Sequence, residues 1–204
     1  MILYCATTNA GKLREFRMAA SANCTIEPVP GLETASSPEE TGITFEENAV
    51  IKAREYGALT DGWLFAEDSG LEVDALNGEP GVYSARYSGA EATDESNNRL
   101  VLDRLGNNSN RSARFVCVIA LVRNRGSELV RTFRGTVEGS ILHEPHGTNG
   151  FGYDPIFWYQ PFGCSFGEVD RAQKQTVSHR GAALREMMQA VPQMMPRTDA
   201  TLPD

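Results

Sequence analysis

The sequence predicts an α/β fold built on a mixed β-sheet. In the first half of the chain, short apolar runs alternate with amphipathic stretches, as strands alternate with helices in α/β proteins. In the second half, the apolar run SARFVCVIALVRN precedes another extended run, and the two predict an antiparallel hairpin around 124–127. Alternating units followed by a hairpin favour a mixed sheet over a purely parallel one.

The first half predicts strands and helices in turn. ILYCAT is a short buried strand, and a helix follows over about 12–20 with Leu13 and Phe16 on one face. TIEPVP is a second extended piece, and GLETASSPEETG is a polar loop. TFEENAVIKAREYGALT predicts a helix that begins with a capping box of Thr44 and Glu47. WLFAED is the next strand, and we expect the Ser-Gly that follows it to begin a turn.

The second half continues the same pattern. TDESNNRLVLDRLG predicts a helix that is capped by Thr93 or Asp94. GTNGFGYDPIFWY is a glycine-rich loop that enters a strand, and SHRGAALREMMQAV is a last helix with Ser178 as its N-cap. We expect one domain over 1–191 and a flexible tail over 192–204, since that segment has three prolines and few apolar anchors.

Composition limits the classes of function. The 204 residues are 41% apolar and carry a formal charge of −8, which fits one domain with a core and disfavours a nucleic-acid-binding surface. No apolar run is long enough to predict a membrane span, and the first residues show no basic leader of a signal peptide. The four cysteines form no CxxC pair, so we expect reduced thiols, no zinc site and a cytoplasmic location.

The turn TTNAGK lies where a strand gives way to a helix. Backbone N–H groups at a helix start, together with a lysine and small hydroxyl side chains, suit a bound phosphate. The turn lacks the spacing of a Walker A motif. Its alternative interpretation is an ordinary turn with a solvated lysine.

Acidic residues with a possible role occur at two further places in the sequence. Glu46 and Glu47 suit the start of a helix, whereas Glu39 and Glu40 precede it and are free to bind a hard cation such as Mg²⁺. Asp68 ends a predicted strand, where open α/β sheets place their ligands, although it could equally be a turn residue bonded to its own backbone.

Two later motifs could contact a base. TNGFGYD combines glycines, which let a backbone approach a ligand, with aromatic rings that can stack. SHRG places His179 and Arg180 at a helix start. Each has a plainer interpretation, as a strand-entry turn with core aromatics and as a solvated first helical turn. Phosphate donors, hard-metal acids and a base site are together what hydrolysis of a nucleoside triphosphate requires.

The motifs resemble those of the inosine triphosphate pyrophosphatase family, most closely its bacterial branch. They are TTNAGK, EETGITFEENAVIKA, AEDSGLEVDALNGEPGVYSARYSG, FGYDPIF and SHRGAAL, in the family's order over about residues 2–190. The resemblance implies a long mixed sheet with flanking helices and two lobes around a nucleotide cleft. It also implies a Mg²⁺-dependent homodimer that cleaves ITP, dITP and XTP to the nucleoside monophosphate and pyrophosphate, removing them from the nucleotide pool.

The resemblance gives particular residues a role. Asp68 matches an acid with metal-binding and general-base roles, and Glu39 matches the first acid of the family's E-E-T-G motif, a metal ligand. Glu67 stands where bacterial members often have aspartate, and we expect it to be a supporting neighbour. The implied substrate contacts are Thr7, Thr8, Asn9, Ala10, Gly11, Lys12, Ser69, Phe151, Gly152, Tyr153, Asp154, Lys174, His179 and Arg180.

Three other functions compete with this one. A Maf-like pyrophosphatase would begin with a loop rich in Ser and Arg, which TTNAGK is not. A nucleotide-binding regulatory module would not need the water-positioning acid Asp68 beside Lys12 and Glu39. A nucleic-acid binder is disfavoured by the acidic charge.

Overall fold

The computed structural model describes residues 1–20, 24–123, 125 and 128–194. Its helices are α1 (Ala10–Ala19), α2 (Phe45–Gly57), α3 (Asp94–Leu105), α4 (Arg171–Val177) and α5 (His179–Met194). Its strands are β1 (Ile2–Cys5), β2 (Thr25–Pro28), β3 (Leu64–Val73), β4 (Ser112–Arg123), β5 (Glu128–Ile141), β6 (Phe157–Tyr159) and β7 (Cys164–Ser165). Short 3₁₀ helices cover Leu32–Thr34, Asp74–Leu76, Gly81–Arg86 and Asp154–Ile156.

The strands form one mixed sheet, as the sequence predicts. Within the described residues it has seven strands in the order β2-β1-β3-β4-β5-β6-β7. Strand β1 pairs in parallel with β2 and β3, and the remaining neighbours pair antiparallel. Strands β4 and β5 are the predicted hairpin, although most of its turn lies outside the described residues.

Helices cover both faces of the sheet. On one face, α1 and α5 bury Phe16 and Met187 against Phe65 and Phe133 of the sheet. On the other face, α2 packs its apolar side against alternate residues of β3 and β4, and the cluster includes Phe45, Ala49, Ala53, Leu64, Ala66, Val116, Val118, Ala120 and Val122. Burial of two helical layers on a central sheet supplies the main stabilising term of such a fold.

Strand β3 does not end where the sequence predicts. It runs through Ser69 and Gly70 to Val73, and each residue keeps its antiparallel partner in β4. Leu71 and Val73 are fully buried, so ending the strand early would expose apolar surface and break the ladder. Gly70 serves close packing instead of a turn, because a Cβ there would lie 2.7 Å from the carbonyl oxygen of Gly81.

Helix ends also differ in detail. Helix α1 begins at Ala10, two residues earlier than predicted, because the Asn9 side chain accepts a bond of 3.0 Å from the backbone N–H of Lys12. Thr44 caps α2 as predicted, but the Glu47 carboxylate accepts from the backbone of Ile43 instead of completing the capping box.

The structure shows which residue caps α3, and it contains one helix, α4, that the sequence did not predict. Thr93 is the N-cap of α3, and Ser178 accepts a bond of 3.0 Å from the backbone N–H of Gly181. Helix α5 reaches Met194, inside the segment predicted as a tail, whose remainder 195–204 lies outside the described residues. No helix in the described part of the chain is long and apolar enough to cross a membrane.

Candidate active site

The middle of β3 divides its polar side chains between the two faces of the sheet. Glu67 and Ser69 point toward α1 and α5, where they meet Lys12 and Arg180. Asp68 points toward α2. Because strand side chains alternate, the neighbouring acids have different surroundings.

Asp68 binds a lysine from α2. The Lys52 ammonium lies 2.7 Å from Oδ1 of Asp68 and 3.1 Å from Oε1 of Glu40. Asn48, one helical turn earlier on the same face of α2, donates to Oδ2 of Asp68 at 3.5 Å. Arg86 also contacts the Glu40 carboxylate, at 3.3 Å. Two carboxylates therefore share one ammonium beside the middle of β3.

Burial changes the acid strength of this pair. Loss of water around Asp68 raises the pKa of its carboxyl above the ordinary value, although the charge of Lys52 acts in the opposite direction. Burial alone would lower the pKa of Lys52, but the charges of Asp68 and Glu67 raise it, so the ammonium stays charged. Asp68 is thus a stronger base than an exposed aspartate.

Glu67 faces the opposite side and holds Lys12. The two charged groups approach to 2.5 Å, and Glu67 is 4% exposed. Burial acts to raise the pKa of Glu67, but Lys12, Arg180 and Lys52 outweigh it and lower the value to about 2. The Cys117 thiol lies 3.7 Å from Oε2 of the same carboxylate. Glu67 is therefore ionised and holds the Lys12 ammonium.

A second ionic network joins three helices and the glycine-rich loop. Lys174 of α4 contacts Asp154 at 2.6 Å and Glu15 of α1 at 3.2 Å. Arg180 of α5 contacts Glu15 at 3.0 Å and donates to Oγ of Ser69 at 2.9 Å. Burial raises the pKa of Asp154 in spite of Lys174, whereas for Glu15 the two cations outweigh burial and lower the pKa.

The glycine-rich loop is fixed by α3. Asp94 accepts a bond of 2.7 Å from the backbone N–H of Gly152, and the amide of Asn98 donates to the carbonyl of the same glycine at 3.0 Å. This anchors Phe151, whose ring centre lies 5.0 Å from the guanidinium carbon of Arg180 and 5.1 Å from the Lys174 ammonium. Such distances allow cation–π attraction.

His179 is buried and neutral. Its ring stacks on Phe115 with centroids 4.9 Å apart, and neither ring nitrogen has a hydrogen-bond partner among the described residues. Burial holds the pKa of His179 well below its usual range, and the charges of Arg180 and Lys174 add to this. A neutral imidazole offers one N–H donor and one acceptor nitrogen.

A cavity of about 190 Å³ collects most of the predicted substrate residues. Those that line it are Asn9, Lys12, Ser69, Phe151, Gly152, Tyr153, Asp154, Lys174, His179 and Arg180. The hydroxyl of Tyr153 is used structurally, because it donates to the backbone oxygen of Ser84 at 2.8 Å. A larger cavity of about 590 Å³ lies across the glycine-rich loop, but among the described residues no lysine lines it. Asp68 lines neither of these two cavities.

The remaining loop residues lie outside that cavity. Thr7, Thr8 and Ala10 line a separate surface cavity beside 28–34, and Gly11 packs against the ring of Phe151. Glu39 is exposed, and its neighbour Glu40 is the acid that shares Lys52 with Asp68. Glu39 as a metal ligand stays a prediction.

The donor set near Asp68 suits a hard cation in part. No three His, Cys, Asp or Glu side chains converge as a metal-binding group in the described ranges. Asp68 and Glu40 supply two carboxylates, and their shared Lys52 marks a position that already holds a positive charge. Mg²⁺ needs only one or two carboxylates, since it keeps waters and takes substrate phosphates as further ligands.

Three contributors to the site were missed in the sequence: Glu15, Asn48 and Lys52 were not singled out. Glu40 was considered with Glu39 as a ligand of a hard cation, but the family match fell on Glu39 alone. Asn48 and Lys52 carried a signal, because polar residues four apart interrupt the buried face of an amphipathic helix. Glu15 carried none, because its partners come from residues 159 and 165 positions away.

Fold and site together define an α/β protein with a polar pocket, lined by Lys12 and Lys174, on strand β3 of a mixed sheet. The chain belongs to the Ham1 family, whose sequence model matches residues 3–190. This membership confirms the family resemblance drawn from the motifs.

Individual relatives are similar in sequence to nearly the whole of this chain. A dITP/XTP pyrophosphatase of Exiguobacterium sp. is 47% identical over 188 residues, covering 92% of this chain and 95% of its own. A dITP/XTP pyrophosphatase of Vibrio cholerae is 45% identical over 190 residues, covering 91% and 94%.

Solved structures match the fold as well. The Staphylococcus aureus Ham1 protein superposes with a TM-score of 0.85 at 38% identity, covering 96% of this chain and 100% of its own. A nucleoside-triphosphatase / dITP/XTP pyrophosphatase of Mycobacterium abscessus superposes with a TM-score of 0.73 at 39% identity, covering 92% and 99%. The predicted long mixed sheet with flanking helices is therefore the family fold.

Proposed function

We propose that this protein hydrolyses purine nucleoside triphosphates that carry hypoxanthine or xanthine, namely ITP, dITP and XTP, between the α and β phosphates. The products are the nucleoside monophosphate and pyrophosphate, so the reaction removes these nucleotides from the pool. The observation that carries the proposal is a pair of neighbouring residues of β3: Asp68 is bound by Lys52 on one face of the sheet, and Ser69 lines a cavity with Lys12, Lys174 and Arg180 on the other. The names of relatives at 45–47% identity support the same substrates.

The metal is proposed to be Mg²⁺, held by Asp68 and one acid of the loop 39–40. The shared Lys52 contact supports Glu40, whereas the motif match supports Glu39. When bound, the ion neutralises charge on the phosphate oxygens and on the leaving pyrophosphate.

The chain itself positions the reactants. Asp68 orients the attacking water and accepts its proton at a carboxylate oxygen, a role that its raised pKa favours. Lys12 and the first backbone N–H groups of α1 hold phosphate charge, and Glu67 keeps Lys12 in place. The aromatic ring of Phe151 lies beside the base, and the two lobes of the fold close around the nucleotide.

Base selection follows from hydrogen-bond polarity. Hypoxanthine and xanthine present an acceptor at position 6, whereas adenine presents an amino donor. A fixed donor from Arg180 or from the neutral His179 would oppose that amino group. An unpaired buried donor costs about 1–3 kcal/mol, which gives appreciable rejection of ATP. GTP shares the 6-oxo group, so its rejection depends on the 2-amino position.

Assembly and location complete the proposal. We propose a homodimer, in line with the family resemblance, and light scattering of the purified chain tests it directly. We propose a cytoplasmic location because all four cysteines are free thiols, which persist in a reducing compartment.

A panel of nucleotides tests the proposed reaction. The protein is incubated with Mg²⁺ and ITP, XTP, dITP, GTP, ATP or CTP, and both pyrophosphate and orthophosphate are assayed. We expect pyrophosphate from ITP, dITP and XTP and little from the other three. Orthophosphate as the product, or no turnover of any nucleotide, would overturn the proposal.

A further inference from the structure

Lys52 occupies the position between two carboxylates of the candidate site. Its ammonium lies 2.7 Å from Asp68 and 3.1 Å from Glu40, and its side chain is 13% exposed. An ammonium that bridges two carboxylates balances the charge that a metal ion would otherwise balance. The free protein therefore carries its own cation at the place proposed for Mg²⁺.

Helix α2 fixes all three charged groups. Asn48 donates to Asp68 and accepts a bond of 2.8 Å from the backbone N–H of Gly42, in the loop that carries Glu40. A Cβ on Gly42 would lie 2.6 Å from Oδ1 of Asn48, so only glycine allows this close approach. One face of one helix thus holds the acid of β3, the acid of the loop and the lysine in register.

We propose that Lys52 competes with the divalent cation for Asp68 and Glu40, and that the bound nucleoside triphosphate relieves this competition. The proposal rests on the proposed function, because it concerns the metal site of that reaction. Two cations on the same carboxylate oxygens would repel each other strongly at such short distances. One of them has to leave the carboxylates for the other to bind.

The displaced ammonium needs another anion. Lys52 is largely buried, and an unpaired charge is costly there. Glu67 acts on Lys52 electrostatically but already holds Lys12 at 2.5 Å, and Arg86 adds a second positive charge on Glu40. A triphosphate supplies the missing negative charge, so metal and nucleotide bind cooperatively. Each raises the affinity of the other by the same factor.

Titration with Mn²⁺ in the absence of nucleotide tests the competition. Binding is followed by electron paramagnetic resonance for the wild type, Lys52→Gln and the matched control Lys12→Gln, which loses a lysine that pairs with Glu67 instead. We expect Lys52→Gln to bind Mn²⁺ at least about tenfold more tightly than the wild type, and Lys12→Gln to differ by less than about threefold. Equal affinities of the two variants would overturn the proposal.

Two further measurements test whether the nucleotide relieves the competition and whether Asp68 binds the metal. A non-hydrolysable triphosphate analogue should raise the Mn²⁺ affinity of the wild type much more than that of Lys52→Gln, and an equal gain in both would contradict the proposal. Asp68→Asn added to Lys52→Gln should abolish the tight Mn²⁺ binding of that variant, and its retention would place the metal elsewhere and overturn the proposal.

A labelling experiment on the wild type covers the case in which Lys52→Gln does not fold. Amine-selective labelling followed by mass spectrometry reports the reactivity of Lys52, with Lys174, bound to Asp154 and Glu15, as internal control. Saturating Mn²⁺ alone should increase labelling of Lys52 and leave Lys174 unchanged, and unchanged labelling of Lys52 would overturn the proposal. Pyrophosphate release from dITP is assayed separately, so a failure of the proposed function is distinguished from a failure of this competition.

Discussion

The buried ion pair of Glu67 and Lys12 predicts a measurable dependence of stability on pH. Glu67 is almost fully buried and has a pKa of about 2, against an ordinary value of 4.5. A carboxyl whose pKa is lowered by folding stabilises the native state above its unfolded pKa. That stabilisation is lost as the pH falls through the folded pKa. The affected window therefore lies between 4.5 and about 2.

The magnitude follows from the same two values. A shift of roughly 2.5 units corresponds to about 3 kcal/mol at about pH 6, where both states are ionised. At about pH 3 the unfolded chain is already protonated, and only about 1 kcal/mol remains. Glu67→Gln removes this titration, so the difference in free energy of unfolding between wild type and variant should shrink by about 2 kcal/mol over that range.

Urea unfolding followed by circular dichroism measures the free energy at each pH. Glu27→Gln is the matched control, because Glu27 pairs with Arg17 at 2.6 Å on the exposed surface, where such pairs contribute about 0–1 kcal/mol. The control should follow the wild type across the whole range. Parallel pH profiles for the wild type and Glu67→Gln would refute the claim that Glu67 is ionised and stabilised by Lys12.

Other variants probe the acid, the metal site and the packing. Asp68→Asn should keep the fold and lower kcat with Mg²⁺ by about 10²–10⁴-fold, and a near-normal kcat would contradict its central role. Glu40→Gln should weaken nucleotide-free Mn²⁺ binding by about tenfold and Glu39→Gln by less than about threefold, whereas the reverse order would assign the metal to Glu39. Gly135→Ala should lower the free energy of unfolding by about 1–3 kcal/mol in urea, because its Cβ would overlap the carbonyl oxygen of His179; an unchanged midpoint would contradict this.

Local signals in the sequence were sufficient for most of the fold. Apolar periodicity and capping residues located α2, α3 and the β4–β5 hairpin, because each depends on neighbours within one element. The end of β3 was wrong because Ser69 and Gly70 look like a turn locally. Only the pairing with β4 and the packing of the 3₁₀ helix Gly81–Arg86 keep the strand extended there.

Contacts between distant residues limited the prediction of the site even more than that of the fold. The family resemblance named Lys174 and Arg180 among the expected substrate contacts. They could not reveal that Glu15 binds both, or that Lys52 joins Asp68 to Glu40, because these contacts exist only once helices from distant parts of the chain pack together. Which of Glu39 and Glu40 would hold the proposed metal depends likewise on how Asn48 fixes their loop through Gly42.

The alternation of β3 explains why two neighbouring acids can have opposite properties. Glu67 shares its face with Lys12 and Arg180, and these cations outweigh burial and keep its pKa low. Asp68 is bound by Lys52 on the opposite face, and burial, helped by the charges of Glu67 and Glu40, outweighs that lysine, so the pKa of Asp68 rises. A strand that ended at Asp68 would remove this separation. The continuous strand therefore lets one acid fix Lys12 while the next stays more basic than an exposed aspartate, as the roles proposed for them require.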